Sequence, residues 1–250
     1  MAAAGVSEEA LVRSLSVYVG MVDKVLADPE RWLGVDEEPG ASAGIGERAL
    51  DAVKDRAWGT VTPASPEWAA QPLQARVDWW VNRVSVGAGL AAAAPRLAGA
   101  LSDRLPLQAA LGASAAGLAV CAVAREHGVA EPASWVPLLA KVLFERELSP
   151  AAAAVPDAAE SEQTLLESDD DERGPSLAVT LGRGAQHSVR TLWRLAATFR
   201  GVQHLLDERP RGPLLARALG KLPVVGVAGG WLDERGAIRT AAKETAQLLG

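Results

Sequence analysis

The sequence predicts an all-α protein, a compact bundle of about seven or eight helices that pack closely through alanine and glycine, with an acidic disordered loop. Three observations support this class. Alanine, the residue with the highest helix propensity, is abundant along the chain. Aromatic residues amount to only 4%, which argues against large β-sheets. Hydrophobic residues make up 49% and charged residues 22%, which is typical of globular chains and excludes a wholly disordered one.

The first helix is predicted from Ser7, a favourable N-cap residue, to the turn at Asp28-Pro29. Glu8 and Glu9 in its first turn complement the helix dipole. Apolar residues then recur every three or four positions and form one amphipathic stripe: Leu11, Leu15, Tyr18, Val22 and Val25. Glycine and proline indicate a loop over 36–46, and a shorter helix is expected over 47–58.

The next helix begins near Gln71 and kinks or ends at Pro95. Its apolar face contains Val77, Trp80, Val81 and Val84. Between Arg104 and Arg125, twenty residues carry no formal charge. By length they either cross a bilayer or form a buried core helix, and their alanine-rich composition favours the core helix.

A glycine at 128 is expected to close this helix, and Ser134 to cap the following one, which contains Trp135, Leu139 and Leu143. The chain is therefore divided into an N-terminal helical part over 1–149, an acidic flexible linker over 150–182 and a basic helical part over 183–250. Seven acids and no base lie between Glu160 and Glu172, which predicts an exposed spacer.

The last part holds 11 Lys and Arg against 5 Asp and Glu, a net charge of +6, whereas the whole chain carries -6. The remainder must then carry -12, and this asymmetry favours packing of 183–250 onto the first part as one domain, or contact with an anionic surface. Residues 183–206 form a basic amphipathic helix, and a Gly/Pro-broken apolar stretch over 222–232 precedes a final helix from about Glu234. The candidate contacts to a membrane or a partner protein are Arg190, Trp193, Arg194, Arg200, Val224, Val225 and Trp231.

No catalytic, cofactor or metal site is predicted. The three histidines share no ligand spacing, and Cys121 has no second cysteine, so that an intrachain disulfide is excluded and a cytoplasmic location is expected. Ser114 lacks the glycine two residues later that a nucleophile elbow needs. Glu145 and Glu147 are expected at the surface, on different sides of a helix. An acidic chain with a pI near 5.2 makes nucleic acid an improbable partner.

Two segments resemble the EcsC family. After the uncharged helix comes VCAVAREHGVAEPASWVPLLAKVLF, and near the C terminus comes LPVVGVAGGWLDERGAIRTAAK. Ala124, His127 and Gly128 correspond to the family's A-x-x-Y-G stretch, with histidine in place of the usual tyrosine, and residues 223–230 correspond to its P-V-V-G run. The resemblance covers about half of the chain and implies a helical protein that serves bacterial transport or secretion at the inner face of the cell membrane, without catalytic residues.

Two functions are therefore expected as alternatives. The first is a non-enzymatic, peripherally membrane-associated helical protein, accessory to a transport or secretion system. The second is a soluble helical module that binds a protein partner or a small molecule.

Overall fold

A computed structural model of the chain describes residues 8–34, 61–97, 105–148, 154–167, 183–207 and 230–250. Within these ranges there are eight α-helices, two short 3-10 turns and no strand, which confirms the all-α prediction. The helices are α1 (Glu8–Ala27), α2 (Pro29–Leu33), α3 (Leu73–Leu97), α4 (Leu105–Glu126), α5 (Trp135–Phe144), α6 (Ala158–Glu167), α7 (Arg183–Asp207) and α8 (Gly230–Leu249).

Helix α4, which contains the uncharged run 105–124, lies at the centre of the bundle. It packs against α8, α7, α3 and α5, and it also contacts α1. All side chains from Ala110 to Ala124 are buried except at Gly112, which is half-buried. Small side chains on α4 let these neighbours approach closely. The sequence left open whether this segment crosses a bilayer or forms a buried core helix, and in the structure it is a buried core helix.

The amphipathic stripe of α1 faces this core, since Leu11, Leu15, Tyr18, Val22 and Val25 are all buried. The helix ends at Ala27, as expected from Asp28-Pro29. Asp28 then caps α2 by accepting a hydrogen bond from the main-chain N–H of Arg31 over 3.1 Å. Gly34 ends α2 in the left-handed region, at φ 58°.

Helix α3 runs through Pro95 to Leu97, and its predicted face (Val77, Trp80, Val81 and Val84) is buried. Gly128 follows the end of α4 with a φ of 88°, as its predicted role at the helix end requires. Ser134 lies at the N-cap position of α5, but its side chain makes no capping hydrogen bond. The indole N–H of Trp135 instead fixes the entry to α5 by donating to the Val129 carbonyl over 2.7 Å.

The segment 150–182 differs from the exposed spacer expected from its acidity, because α6 forms inside it. Asp157 caps this helix by accepting from the main-chain N–H groups of Ala159 and Glu160, each over 2.9 Å. Ser161 and Leu165 are buried, and α6 packs mainly on α1. Glu160 is exposed and Glu162 is half-buried, so an acid-rich helix can still pack on the bundle.

Several sequence predictions lie outside the described residues: the loop over 36–46, the helix over 47–58, most of the apolar stretch 222–232, and residues 149–153 and 168–182 of the acidic segment.

Candidate functional site

Helix α7 holds four of the predicted contact residues: Arg190, Trp193, Arg194 and Arg200. The inner side of this helix is apolar and packs on α1, α2, α3 and α4 through Val189, Leu192, Leu195, Ala196, Phe199 and Val202. Arg190 is exposed on the opposite side, and Arg194 and Arg200 are half-buried beside it. At 3.6 residues per turn, the three arginines lie within about one third of the helix circumference. We call Arg190, Arg194 and Arg200 the basic face.

Trp193 lies between these arginines but is packed inward. It is half-buried against the core, and its indole N–H donates to the main-chain carbonyl of Ala91 on α3 over 3.2 Å. The hydrogen bond satisfies the one polar group of the ring, so Trp193 fixes α7 on α3. The basic face therefore stands on a helix that is fixed to α3 by this contact.

The remaining predicted contact residues are not joined to this face. Val224 and Val225 lie outside the described residues. Trp231 lies in the first turn of α8, where the helix is described but the side chains are not.

A polar cluster at the end of α4 was not predicted from the sequence. One carboxylate oxygen of Glu126 accepts from the indole N–H of Trp80 over 2.9 Å and from that of Trp68 over 3.2 Å. The other lies 3.0 Å from Nε of Arg76, in an ion pair whose side chains are 9% and 19% exposed. Trp68, Trp79 and Trp80 pack edge to face, with centroids 5.4 and 5.0 Å apart along the series. Glu126 thus ties residues 61–72 and the start of α3 to α4.

A second polar cluster surrounds the end of α2. The buried Arg83 donates to the main-chain carbonyls of Leu33 and Gly34, and the hydroxyl of Ser188 donates to Leu33 over 2.6 Å. Thr191 donates to the carbonyl of Trp32, also over 2.6 Å. The last carbonyls of a helix have no partner within the helix, and a cation is favoured at this end of the dipole. This cluster therefore joins α3 and α7 to α2.

The sequence offered one signal for each cluster. Arg83 follows Trp80 by three residues and so shares the buried face of α3, and Glu126 follows a run of twenty uncharged residues and Arg125 at the end of α4. Their partners are 46 to 105 residues away along the chain, beyond the reach of local periodicity.

The two hydroxyls in the second cluster, those of Ser188 and Thr191, both donate to main-chain carbonyls of α2. Burial raises the pKa of the Cys121 thiol far above its usual range, which keeps the sulfur protonated and unreactive. Ser114 is fully buried, with its carbonyl bonded to Tyr18 as part of helix packing. Glu145 and Glu147 are exposed, as expected, but they follow the end of α5 at Phe144 and so do not lie on a helix. In the described part of the chain, no three His, Cys, Asp or Glu side chains are placed to hold a metal ion.

Among the described helices, none has the combination of length and apolarity needed to span a bilayer. Comparison with models of protein families, with curated proteins and with solved structures found no match to this chain.

Proposed function

We propose that this chain is a non-enzymatic helical protein that associates peripherally with an anionic membrane surface through the basic face of α7. The observation that carries the proposal is the placement of Arg190, Arg194 and Arg200 within about one third of the circumference of a helix that packs along its other side. Arg190 is exposed, and the other two arginines are half-buried. Residues 183–206 include no acid, so the field of this helix is positive. Arginine side chains on one side of a helix can bind the phosphate groups of an anionic surface.

Peripheral contact agrees with the position of α4. Its apolar side chains are used inside the bundle, where they contact other helices, and they are not needed for the membrane contact proposed here. The attraction is then mainly electrostatic, and each arginine near an anionic leaflet contributes about 1 kcal/mol. Binding of this kind weakens as salt screens the charges.

The EcsC resemblance supports the same proposal. The two similar segments imply an accessory protein of a bacterial transport or secretion system at the inner face of the cell membrane. Residues 120–144, the first of these segments, include the end of α4 and the whole of α5, which belong to the buried core. In this proposal the segment provides the scaffold on which α7 is held.

Vesicle flotation tests the proposal. The purified chain is mixed with phosphatidylcholine vesicles, with or without phosphatidylglycerol, at low and high salt. We expect recovery with the anionic vesicles only, and loss of recovery at high salt. Arg190→Glu should abolish this binding, and Arg190→Lys should preserve it.

Arg13→Glu is the matched control. Arg13 is an exposed arginine on α1, so this substitution changes the net charge by the same amount at a position away from the basic face. It should float like the unmodified chain. An equal loss in both variants would assign binding to overall charge, and no binding by the unmodified chain would refute the proposal.

A second candidate function is a helical module that binds a protein partner. The packing of α6 on α1 favours it, because a short amphipathic helix lying on a helical surface is a common mode of protein recognition. Co-purification of a stoichiometric partner, lost when the α1 surface is altered, would support this candidate.

A further inference from the structure

Helix α6 is held on α1 by few buried side chains. Within the part of α6 whose side chains are described, only Ser161 and Leu165 are buried, while Leu166 is 43% exposed. The helix has 10 residues, and isolated helices shorter than about 12 residues are marginal in water. Its helical state therefore depends on its contacts with the bundle.

The surface under α6 is shaped for a helix. A Cβ atom at Gly20 would lie 2.4 Å from the hydroxyl oxygen of Ser161, so the glycine allows the two helices to approach closely. Leu165 is fully buried one turn after Ser161. Glu162 lies 2.7 Å from a guanidinium nitrogen of Arg31 at the edge of this surface. We call the surface around Gly20 and Arg31 the α1 groove.

The helix that occupies the α1 groove, α6, indicates which kind of helix the groove can bind. It presents a small residue, an acid and a leucine at positions 161, 162 and 165, which share one helix side. Residues 154–167 contain four acids and no base, and Arg31 provides the opposite charge. An acidic amphipathic helix is therefore the complementary occupant.

We propose that α6 is a removable, autoinhibitory helix, and that the α1 groove binds an acidic amphipathic helix of a partner protein when α6 leaves. This inference rests on the second candidate function. Local opening requires fewer contacts to break than global unfolding, and α6 buries two side chains where α4 buries a continuous series. The bundle consequently stays folded when α6 is released.

Hydrogen exchange of the unmodified chain tests the release. Amides of α6 should exchange faster than those of residues 113–124, and with a weaker dependence on urea, because less surface is exposed in local opening. Exchange of both segments at the same rate and with the same urea dependence would refute a removable helix.

Two variants separate release from occupancy. Leu165→Glu should free α6 and leave the groove open, whereas Gly20→Leu should free α6 and fill the groove. The probe is a fluorescein-labelled peptide of residues 154–167. Because the resident helix competes for the site, the peptide should bind the Leu165→Glu chain at least about tenfold more tightly than the unmodified chain.

The same peptide should not bind the Gly20→Leu chain, and a peptide with the Leu165→Glu change should bind none of the chains. A released α6 without peptide binding would refute partner recognition and the second candidate function together with it. Unfolding of the Leu165→Glu chain would instead show that α6 is integral to the bundle, which overturns this inference but leaves the second candidate function open to the co-purification test.

Discussion

The hydroxyl of Tyr18 on α1 donates a hydrogen bond to the main-chain carbonyl of Ser114 on α4 over 2.5 Å. Both residues are fully buried. The contact is allowed by Gly117, where a Cβ atom would lie 2.8 Å from the hydroxyl oxygen and 3.1 Å from two carbons of the ring. The tyrosine ring also packs edge to face on Phe199 of α7, with centroids 5.1 Å apart. One glycine thus lets three helices meet.

Gly117→Ala should lower the free energy of unfolding by about 1–3 kcal/mol, because the added methyl group overpacks a rigid, buried ring. Urea denaturation measures this loss. Gly112→Ala is the matched control on the same helix, since nothing lies within 4 Å of its added Cβ atom. That change should stabilise the chain by about 0.5–1 kcal/mol through helix propensity. A stabilising Gly117→Ala would contradict the close packing described for Tyr18.

Thr191→Val should destabilise the chain by about 1–3 kcal/mol, because the near-isosteric change leaves the buried carbonyl of Trp32 without the threonine donor. Thr198→Val on the same helix is the control. The Thr198 hydroxyl is half-buried, and its contacts are 3.2 Å to the sulfur of Met21 and 3.4 Å to the carbonyl of Arg194. The control should cost less than about 0.5 kcal/mol, since sulfur is a weak acceptor. Equal urea midpoints for the two variants would show that the α2 end needs no side-chain donor.

The helices with strong periodicity were predictable from the sequence, because the spacing of their apolar residues indicates which side of the helix is buried. The stripe of α1 and the face of α3 are spaced by three or four residues, and both are buried where expected. The basic face of α7 was predicted by the same rule, since Arg190, Arg194 and Arg200 lie outside its apolar stripe. Periodicity does not report which neighbour a side chain meets. The inward packing of Trp193 onto Ala91, which is 102 residues away in the chain, could therefore not be predicted from the sequence.

The two features that the sequence left open or missed depend on long-range contacts. An uncharged stretch such as 105–124 suits lipid and protein interiors alike, and only the helices around it distinguish the two settings. Helix α6 was interpreted as a spacer because its acids dominate the composition. Its docking depends on Ser161, Leu165 and a glycine 141 residues earlier in the chain, Gly20.

Glu126→Gln should destabilise the chain by about 1–3 kcal/mol and change its tryptophan fluorescence. The amide keeps an acceptor for the Trp68 and Trp80 indoles but removes the charge that pairs with Arg76, in a largely buried pair. Glu147→Gln is the matched control, because it removes an exposed pair with Lys141 and should change stability by less than about 0.5 kcal/mol. Equal effects of the two changes, measured by urea denaturation, would contradict a tying role for Glu126.

The free energy of unfolding should fall as the pH rises above about 8.5, the pKa of an unperturbed cysteine. Burial raises the pKa of Cys121 and of Tyr18 in the folded state, so the unfolded chain loses these protons first and is favoured by the rising pH. The stabilisation from each group is thus complete below the pKa of that group in the unfolded chain. It is lost as the pH rises to the pKa of the group in the folded state. For the cysteine alone, the slope approaches about 1.4 kcal/mol per pH unit. Cys121→Ala should remove most of the decline between about pH 8.5 and 9.5, where tyrosine is still largely protonated in the unfolded chain. Urea denaturation at half-unit pH steps measures both chains, and an unchanged slope in Cys121→Ala would show that the thiol is not the titrating group.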